Sequence, residues 1–415
     1  MKIGVVGLGY VGLPLVVAFA EAGHDVVGVD VNARVIASLG EGRSHIEDVP
    51  DEVLQAISER FHPTPRYADL AKVDAVVVAV PTPLTDNREP DLQPLIDTGT
   101  ALANVLQAGQ LVVLESTTYP GTTRERFGPL LEESGLAAGR DFHLAFSPER
   151  IDPGRTDYTL RNTPKVVGGL TDACKDRAVA FYSQVCDEIV EVSAPEEAEL
   201  TKLLENVFRS VNIALVNEIA MLCDRMGINI WEVVDAASTK PYGFMRFDPG
   251  PGMGGHCLPV DPFYLAWKAR EYDTQTEFIE LAGEVNQAMP YYCVERIARA
   301  LNGHAKAIRG SRIVVFGVSY KAGVGDLRES PALKIMKILS DLGGDIAYHD
   351  DHVPELPQFD LRSESFDSSL EGADAAVIVT AHPGVDIQAL VDGAPLVVDF
   401  RGVTRGIKAD HLIRL

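Results

Sequence analysis

A glycine-rich stretch that ends in a cysteine is the segment best suited to covalent chemistry. PGPGMGGHCLPVDPFYL, residues 249–265, places Cys257 shortly after four glycines and four residues before Asp261. Glycines allow a ligand or a second backbone segment to come close, because they carry no side chain. A helix is predicted to begin at Pro262, and backbone N–H groups at a helix start favour the nucleophilic thiolate. Cys257 is therefore a candidate nucleophile; the alternative is a glycine-rich loop whose cysteine has no role.

A second glycine motif predicts a nucleotide site near the N-terminus. Gly7, Gly9 and Gly12 have G-x-G-x-x-G spacing, after a predicted strand and at the start of a predicted helix. This spacing permits a tight turn, close approach of a pyrophosphate, and packing of the helix on the strand. Asp30 ends the next strand, where a carboxylate accepts from ribose hydroxyls and repels a 2′-phosphate, so NAD is predicted. Arg34 would tolerate a phosphate and weakens that choice, and a glycine-rich turn without a ligand is the alternative.

Composition and charge exclude several classes of protein. With 37 basic and 60 acidic residues the net charge is −23, which disfavours nucleic acid and anionic membranes as partners. Five cysteines without a C-x-x-C pair indicate reduced thiols in a cytoplasmic protein, with neither disulfides nor a metal site. A strand is predicted within two residues of the start and no apolar run is long enough to span a bilayer, so neither a signal peptide nor a membrane segment is expected.

The order of predicted elements indicates an α/β protein. Over the first 190 residues, apolar strand-like runs alternate with helical patterns, as in βαβ units with a parallel sheet. One long helix is predicted from Pro195 to Gly227, and helical patterns continue to about residue 301. The α/β pattern then returns. The predicted fold is two Rossmann-like doubly wound domains joined by a helical domain with one long central helix, with boundaries at 1–194, 195–301 and 302–415.

Polar residues lie at positions where ligands bind in open α/β sheets. Thr117 and Glu149 each follow a strand-like run, and the carboxyl ends of strands are the usual ligand sites. Lys202 and Asn206 are spaced i, i+4 on the long helix and therefore share one face. The alternative for Glu149 is an ordinary helix-start carboxylate, and the alternative for Lys202 and Asn206 is a solvated helix face.

A loop after a strand of the last domain contains a further set of charges. Lys321, Asp326 and Arg328 lie in SYKAGVGDLRESP and would provide cations for a phosphate-binding cleft. A surface ion pair is the alternative.

Seven motifs in order resemble one family along essentially the whole chain. They are the G-x-G-x-x-G motif with Asp30, PTP at 81–83, EST at 115–117, SPER at 147–150, KLLEN at 202–206, GGHCLPVDP at 254–262 and K-x4-D-x-R at 321–328. Together they resemble the UDP-glucose/GDP-mannose dehydrogenase family of nucleotide-sugar dehydrogenases.

The resemblance implies an NAD-dependent, four-electron oxidation of a sugar C6 alcohol to a carboxylate. Cys257 would carry the intermediate first as a thiohemiacetal and then as a thioester that water hydrolyses. Lys202 and Asn206 match residues that stabilise developing oxyanion charge. Asp261 matches the aspartate linked to water activation, and Thr117 would hold that water.

The remaining roles also follow from the resemblance. Glu149 would be a general base for the thioester step, Lys321 would reach substrate, Arg328 the NAD phosphate, and Arg401 in DFRG the sugar nucleotide. The long helix would join a homodimer or a higher homo-oligomer. The candidate cofactor contacts are Gly7, Gly9, Tyr10, Val11, Gly12, Asp30, Arg34, Thr82, Thr117 and Arg328. The candidate substrate contacts are Glu149, Arg150, Lys202, Asn206, Gly254, Lys321 and Arg401.

Departures from the UDP-glucose branch predict the sugar. That branch carries a lysine before ST and a glutamate four residues after the PE glutamate, where this chain has Glu115 and Pro153. The chain resembles enzymes that act on UDP-N-acetylhexosamines, and STKPYGF (238–244) favours UDP-N-acetylglucosamine. UDP-glucose and UDP-N-acetylmannosamine are the alternatives. More remote ones are a two-electron hydroxyacid dehydrogenase, which needs no cysteine, and a sugar-nucleotide binder without activity.

The first testable prediction concerns the oxidant. Wild type should use NAD more efficiently than NADP, because the Asp30 carboxylate repels a 2′-phosphate, and Asp30→Ala should weaken that preference. Steady-state rates with each cofactor measure it, and equal efficiency with NADP in the wild type would contradict it.

Overall fold

The computed structural model describes residues 1–85, 89–151, 157–255 and 258–415. The chain forms two compact units, Met1–Glu205 with Phe263–Gln275, and Asn206–Pro262 with Thr276–Leu415. Both units contain a mainly parallel sheet, and helices dominate the middle of the chain, so the predicted fold class is confirmed. The boundaries at residues 194 and 301 stay a prediction. Cys257 and Pro153 lie outside the described residues.

The first unit is built on a doubly wound sheet. Its strands are β1 (Lys2–Val6), β2 (Asp25–Val29), β3 (Phe61–Thr64), β4 (Ala75–Val78), β5 (Leu111–Leu114), β6 (His143–Phe146), β7 (Lys165–Gly169) and β8 (Ile189–Val192). In the described part of the chain these eight strands have the order β3-β2-β1-β4-β5-β6-β7-β8. The chain reverses sheet direction at β1, which is where such sheets bind nucleotides.

Two features of this sheet differ from the sequence prediction. β6 and β7 pair antiparallel, because the described residues between them include no helix that would return the chain for a parallel strand. Strands β3 and β8 were not predicted. Both lie at sheet edges, where Pro63 in β3 is tolerated and where β8 has no fully buried residue to produce an apolar run.

Helices cover both faces of the first sheet. They are α1 (Gly12–Glu21), α2 (Ala33–Gly40), α3 (Asp51–Ala56), α4 (Gln93–Ala103), α5 (Gly128–Glu132) and α6 (Asp172–Tyr182). Alternate residues of β1 point to opposite faces, so Val5 packs in one apolar cluster with Phe19 and Phe181 while Val6 packs in another with Leu102. With both faces covered, the strand ends are left as the polar edge of the unit.

The predicted long helix is confirmed as α7 (Pro195–Met226). Glu196 and Glu197 lie in its first turn and Arg225 in its last, as the helix dipole favours. Gly227 ends the helix with a φ of +68°, a left-handed conformation that glycine adopts without strain. The helices that follow are α8 (Ile230–Ser238), α9 (Asp261–Ala269) and α10 (Glu277–Gly303).

The second unit contains a smaller sheet. Its elements are β9 (Arg312–Phe316), α11 (Pro331–Asp341), β10 (Asp345–His349), β11 (Glu355–Leu356), β12 (Leu361–Arg362), α12 (Phe366–Leu370), β13 (Ala375–Ile378), α13 (Ile387–Gly393), β14 (Val397–Asp399) and β15 (Leu412–Arg414). The parallel order is β10-β9-β13-β14-β15, and β11 and β12 form a separate antiparallel pair. The edge strand β15 was not predicted.

None of the helices in the described ranges is both long enough and apolar enough to cross a membrane.

Candidate active site

The turn after β1 has the geometry of a pyrophosphate site. Gly7 has a φ of +90°, and a Cβ there would run into the backbone carbonyl of Ala79. A Cβ at Gly12 would overlap the carbonyl of Gly7, whereas a Cβ at Gly9 would meet nothing within 4 Å. Gly7 and Gly12 are therefore needed for the turn and the helix packing, and Gly9 leaves open space above the backbone.

Asp30 is held at the end of β2 with its carboxylate oriented. Leu8 N–H donates to Asp30 Oδ2 at 2.9 Å and Asn32 N–H to Asp30 Oδ1 at 2.8 Å. Each oxygen keeps a second lone pair for a ribose hydroxyl. At the start of α1, Val11 makes no side-chain cap and Leu13 N–H donates to the carbonyl of Gly9 at 3.0 Å, so no side chain caps the helix end that the motif directs toward a phosphate. These residues fit NAD.

Tyr10 and Arg34 are both exposed. Tyr10 lies in the turn after β1 and Arg34 in the first turn of α2. Their contacts with the cofactor stay a prediction.

Two candidate threonines from neighbouring strand ends are joined by a hydrogen bond. Thr82 follows β4 and is buried, and its hydroxyl donates to the carbonyl of Thr117 after β5 at 2.7 Å. Tyr264 of α9 donates to the carbonyl of Thr82 at 2.7 Å. The backbone that carries Thr117 is thus fixed from the side of Thr82, although the roles of both threonines toward ligands stay a prediction.

Glu149 belongs to a buried ionic cluster. Lys165 Nζ lies 3.2 Å from Glu149 Oε2 and 3.2 Å from Glu115 Oε1, and the lysine side chain is 3% exposed. The other oxygen of Glu149 accepts from the backbone N–H of Ile151 at 2.6 Å. Tyr182 donates to Glu115 from α6. The cluster ties the ends of β5 and β6 to the start of β7.

The cluster shifts the pKa values of its two carboxylates, Glu115 and Glu149, in opposite directions. Burial raises the pKa of Glu115 to about 7, although the charge of Lys165 opposes that rise. Burial alone would also raise the pKa of Glu149, but the charge of Lys165, the Ile151 N–H and the charge of Lys202 together hold it below its usual range. Glu149 is therefore ionised at neutral pH, while Glu115 is poised between its two forms. The general-base role of Glu149 stays a prediction.

Arg150 is held by partners in the first unit. Its guanidinium pairs with Glu205 at 2.7 Å and donates to the carbonyl of Pro164 at 2.7 Å. Its contact with substrate stays a prediction.

In the second unit two predicted catalytic residues lie side by side. Asn206 of α7 donates from Nδ2 to Asp261 Oδ2 at 2.5 Å, and the two residues are 7% and 2% exposed. Asp261 is the first residue of α9, where the helix dipole favours a carboxylate. Lys202 lies one turn before Asn206 on α7, so the predicted helical spacing is confirmed.

The glycine-rich loop packs against the loop between β9 and α11. Gly255 N–H donates to the carbonyl of Arg328 at 2.9 Å. Gly255 has a φ of +89°, and a Cβ at Gly254 would lie 2.6 Å from Cβ of Tyr320. The sequence predicted that these glycines allow a ligand or a second backbone segment to come close, and the structure shows the close approach of a second backbone segment. The segment that leads to Cys257 is thereby aligned with the loop that carries Lys321.

Arg401 and Arg328 have partners in the same unit. A Cβ at Gly250 would lie 3.0 Å from the Arg401 guanidinium, whose Nε donates to the carbonyl of Val379 at 2.7 Å. Arg328 pairs with Asp326 at 2.6 Å, so the ion pair considered as an alternative exists. The ligand contacts of Lys321, Arg328 and Arg401 stay predictions.

Three family models match the chain in sequence order. They describe the NAD binding domain, the central domain and the UDP binding domain of the UDP-glucose/GDP-mannose dehydrogenase family, at residues 1–186, 196–288 and 314–406. The chain belongs to this family. It is therefore an NAD-dependent nucleotide-sugar dehydrogenase, with NAD as its cofactor.

Relatives within the family carry different substrate names. A UDP-N-acetyl-D-mannosamine dehydrogenase of Pyrococcus horikoshii is 34% identical over 430 residues, covering 98% of this chain and 100% of the relative. A UDP-N-acetyl-D-glucosamine 6-dehydrogenase of Pseudomonas aeruginosa is 37% identical over 377 residues, covering 90% and 84%. The solved UDP-D-ManNAc dehydrogenase structure from Pyrococcus horikoshii has a TM-score of 0.92 at 34% identity and covers 100% and 99%.

Sequence reasoning missed three residues that shape the site of this dehydrogenase. Lys165 and Tyr182 complete the buried cluster. Glu199 of α7 accepts from the N–H groups of Gly121 at 2.6 Å and Thr123 at 2.8 Å, and so holds the loop after β5. A lysine that starts the otherwise apolar run KVVGG was an available signal for Lys165.

The raised pKa of Glu115 predicts a pH dependence of stability. A group protonated in the folded state up to about pH 7 stabilises the fold fully below its ordinary pKa, and that contribution is lost as pH rises through 7. Between the ordinary pKa of 4.5 and pH 7, the free energy of unfolding falls by about 1.4 kcal/mol per pH unit. Glu115→Gln keeps the shape and an acceptor for Tyr182, and should flatten this part of the profile.

Melting temperatures from pH 5 to pH 8 measure the effect. Glu188→Gln, a change at an exposed glutamate of the same unit, should follow wild type. Parallel profiles for wild type and Glu115→Gln would show that Glu115 does not titrate in this range.

Proposed function

We propose that this enzyme oxidises the C6 hydroxyl of a UDP-N-acetylhexosamine, UDP-N-acetylglucosamine in the first place, to the uronic acid. The observation that carries the proposal is the buried hydrogen bond between Asn206 and Asp261, of which Asp261 follows Cys257 by four residues in the sequence. An amide oriented by a carboxylate is suited to stabilise an oxyanion, and the carboxylate can accept a proton from water. A dehydrogenase that stops at the ketone or aldehyde needs neither the hydrolytic water nor a thiol.

Cys257 is the proposed nucleophile. Its thiolate adds to C6 of the aldehyde left by the first two-electron oxidation, which forms a C–S bond and the alkoxide of a thiohemiacetal. The second oxidation breaks the remaining C6–H bond and leaves a thioester. Water then adds to the thioester carbonyl and the C–S bond breaks, which releases the carboxylate product and the thiolate. The edge at Asp30 would hold NAD, which would supply the acceptor for the two electrons of each oxidation.

The other site residues act on these charges and on water. Lys202 and Asn206 stabilise the oxyanion of the thiohemiacetal and of the hydrolysis step. Thr117 holds the water and Asp261 takes its proton, with Glu149 as a further base that is already ionised. Lys321 and Arg401 bind the substrate.

Glu115 and Pro153 support an N-acetylhexosamine over glucose, and STKPYGF (238–244) supports UDP-N-acetylglucosamine within that group. Glu115 pairs with Lys165 inside the first unit. A lysine at position 115, as in the UDP-glucose branch, would place two cations together there. UDP-N-acetylmannosamine is a second candidate, because the Pyrococcus horikoshii relative with that name matches over 98% of this chain.

A panel of UDP-sugars tests the substrate. NADH absorbance should show the highest kcat/KM with UDP-N-acetylglucosamine and about two NADH formed per sugar consumed, since a thioester route transfers two electron pairs. A higher kcat/KM with UDP-N-acetylmannosamine would select the second candidate. Formation of one NADH per sugar, or no oxidation of any UDP-sugar, would reject the proposed reaction.

Replacement of the nucleophile tests the covalent route. Cys257→Ser should lower steady-state NADH formation by several orders of magnitude, because a serine hydroxyl is almost fully protonated at neutral pH. Its melting temperature and NAD binding should stay near wild type, and some aldehyde should accumulate. Cys223→Ser, a change at a buried cysteine of α7, is the matched control and should keep its turnover. Full turnover of Cys257→Ser at two NADH per sugar would reject the proposal of a covalent intermediate on Cys257.

We also propose that α7 joins two copies of the chain in a homodimer. Large apolar side chains of α7 are exposed at mostly helical intervals along one side. They are Leu200, Leu204, Phe208, Leu215, Ile219, Leu222 and Met226. Monomers rarely leave so long an apolar stripe in water, and a second copy of the same stripe would cover it by twofold symmetry.

Sedimentation velocity measures the oligomeric state. Leu222→Glu should convert dimers to monomers at micromolar concentration, because it would bury a charge in the interface. Leu342→Glu is the matched control: Leu222 is 51% and Leu342 46% exposed, but Leu342 follows α11. A wild-type monomer, or a Leu222→Glu variant that remains dimeric, would contradict the proposal.

A further inference from the structure

The second sheet opens with the same backbone turn as the first. Gly317 follows β9 as Gly7 follows β1, with φ of +77° and +90°. Gly317 N–H donates to the carbonyl of His349 at 3.0 Å, and Gly7 N–H to that of Val29 at 2.8 Å. Each turn therefore closes on the last residue of the neighbouring strand, β10 or β2.

The aspartate that follows the neighbouring strand is also repeated. Asp350 follows β10 as Asp30 follows β2. Val318 N–H donates to Asp350 Oδ2 at 2.7 Å and His352 N–H to Asp350 Oδ1 at 2.9 Å. The matching distances at Asp30 are 2.9 and 2.8 Å. The second unit thus has the backbone frame of a ribose-binding edge.

Two side chains occupy that frame in the second unit. Ser319 lies two residues after the turn glycine, where the first unit has Gly9, and His382 lies four residues after β13, where the first unit has Thr82 after β4. His382 Nε2 is 3.0 Å from Asp350 Oδ2 and 3.1 Å from Ser319 Oγ. All three residues are buried. The imidazole covers the carboxylate oxygen that would accept from a ribose hydroxyl.

The hydrogen bonds assign the tautomer of this histidine. Gly323 N–H donates to His382 Nδ1 at 3.0 Å, so Nδ1 carries a lone pair and Nε2 carries the hydrogen that points to Asp350. Burial would raise the pKa of Asp350, but its hydrogen bonds with His382 and Val318 hold it below its usual range. A neutral imidazole thus links an ionised carboxylate at the strand end to the backbone of the loop.

That loop, residues 319–330, carries the candidate phosphate-binding cations. Gly323 lies between Lys321 and Arg328. The start of the loop is fixed separately, because Thr380 Oγ1 donates to the carbonyl of Ser319 at 2.6 Å. Ser319 Oγ donates to the carbonyl of Lys321 at 2.8 Å, and the bond to His382 fastens the loop again at Gly323, two residues beyond Lys321.

We propose that His382 is a positioning residue for substrate binding: it turns a ribose-type strand edge into an anchor for the loop of Lys321. His382 Nδ1 accepts from Gly323 N–H and so positions the backbone just after Lys321. The hydrogen bond of Nε2 to Asp350 holds the imidazole itself in place. The ligand it serves is the pyrophosphate of a uridine nucleotide. This inference rests on the proposed function for the identity of that nucleotide.

Binding of UDP itself tests the inference separately from the reaction. His382→Ala should raise the UDP dissociation constant at least tenfold in calorimetric titration, with UDP-sugar KM rising in parallel. His382→Asn can place its carbonyl oxygen near the position of Nδ1, and should restore much of the affinity. His382→Gln places its amide near Nε2 and should bind UDP about as weakly as His382→Ala. A role limited to holding the fold would not separate these two amides.

The control is His411→Ala, which removes a half-buried imidazole of the same unit that hydrogen-bonds to the carbonyl of Val391 at 2.8 Å. Its UDP affinity should equal that of wild type. If His382→Ala does not fold, the comparison of Asn with Gln decides, and equal UDP affinity in those two variants would overturn the inference. UDP affinity within twofold of wild type in all His382 variants would overturn it as well. Wild type that binds UDP but oxidises no UDP-sugar would reject the proposed function alone.

Discussion

The buried ammonium of Lys165 is the constraint on which the polar edge of the first unit depends. Two carboxylates, Glu115 and Glu149, approach it to 3.2 Å from the ends of neighbouring strands. Without this cation both would be buried beside each other, and neither could ionise at an acceptable cost. With it, Glu149 is held ionised while Glu115 titrates near neutrality. The first residue of β7 thus places its cation between the carboxylates that follow β5 and β6.

The two sheets share one backbone arrangement at the ends of their first two strands in chain order. In each, a glycine turn after the first strand presents an N–H group to an aspartate after the second. In the first unit Gly9 lies two residues after the turn glycine, and a Cβ there would meet nothing within 4 Å. Around Asp350 the imidazole of His382 occupies the equivalent place. The two edges share these backbone hydrogen bonds and differ in the side chains at Ser319 and His382, which is the basis of the role proposed for His382.

The glycine-rich segment has a structural role that supports its proposed chemical one. Gly254 and Gly255 allow the backbone to lie against Tyr320 and to donate to the carbonyl of Arg328. Larger residues would separate the two loops by the length of a side chain. The glycine-rich segment and the loop that carries Lys321 are therefore held together by a direct backbone hydrogen bond. The family models assign NAD binding to residues 1–186 and UDP binding to residues 314–406.

By itself the sequence determined what depends on local spacing. Glycine intervals predicted the turn at Gly7, apolar periodicity predicted the central strands and α7, and ordered motifs identified the family. Edge strands such as β8 were not predicted from the sequence, because a half-exposed strand needs no continuous run of apolar residues. The tertiary structure decided which distant polar groups are partners: Lys165 with Glu115, Asn206 with Asp261, and His382 with Gly323. The physical reason is that a buried polar side chain is costly unless it is paired, and only the tertiary fold brings residues 50 or more positions apart within hydrogen-bonding distance.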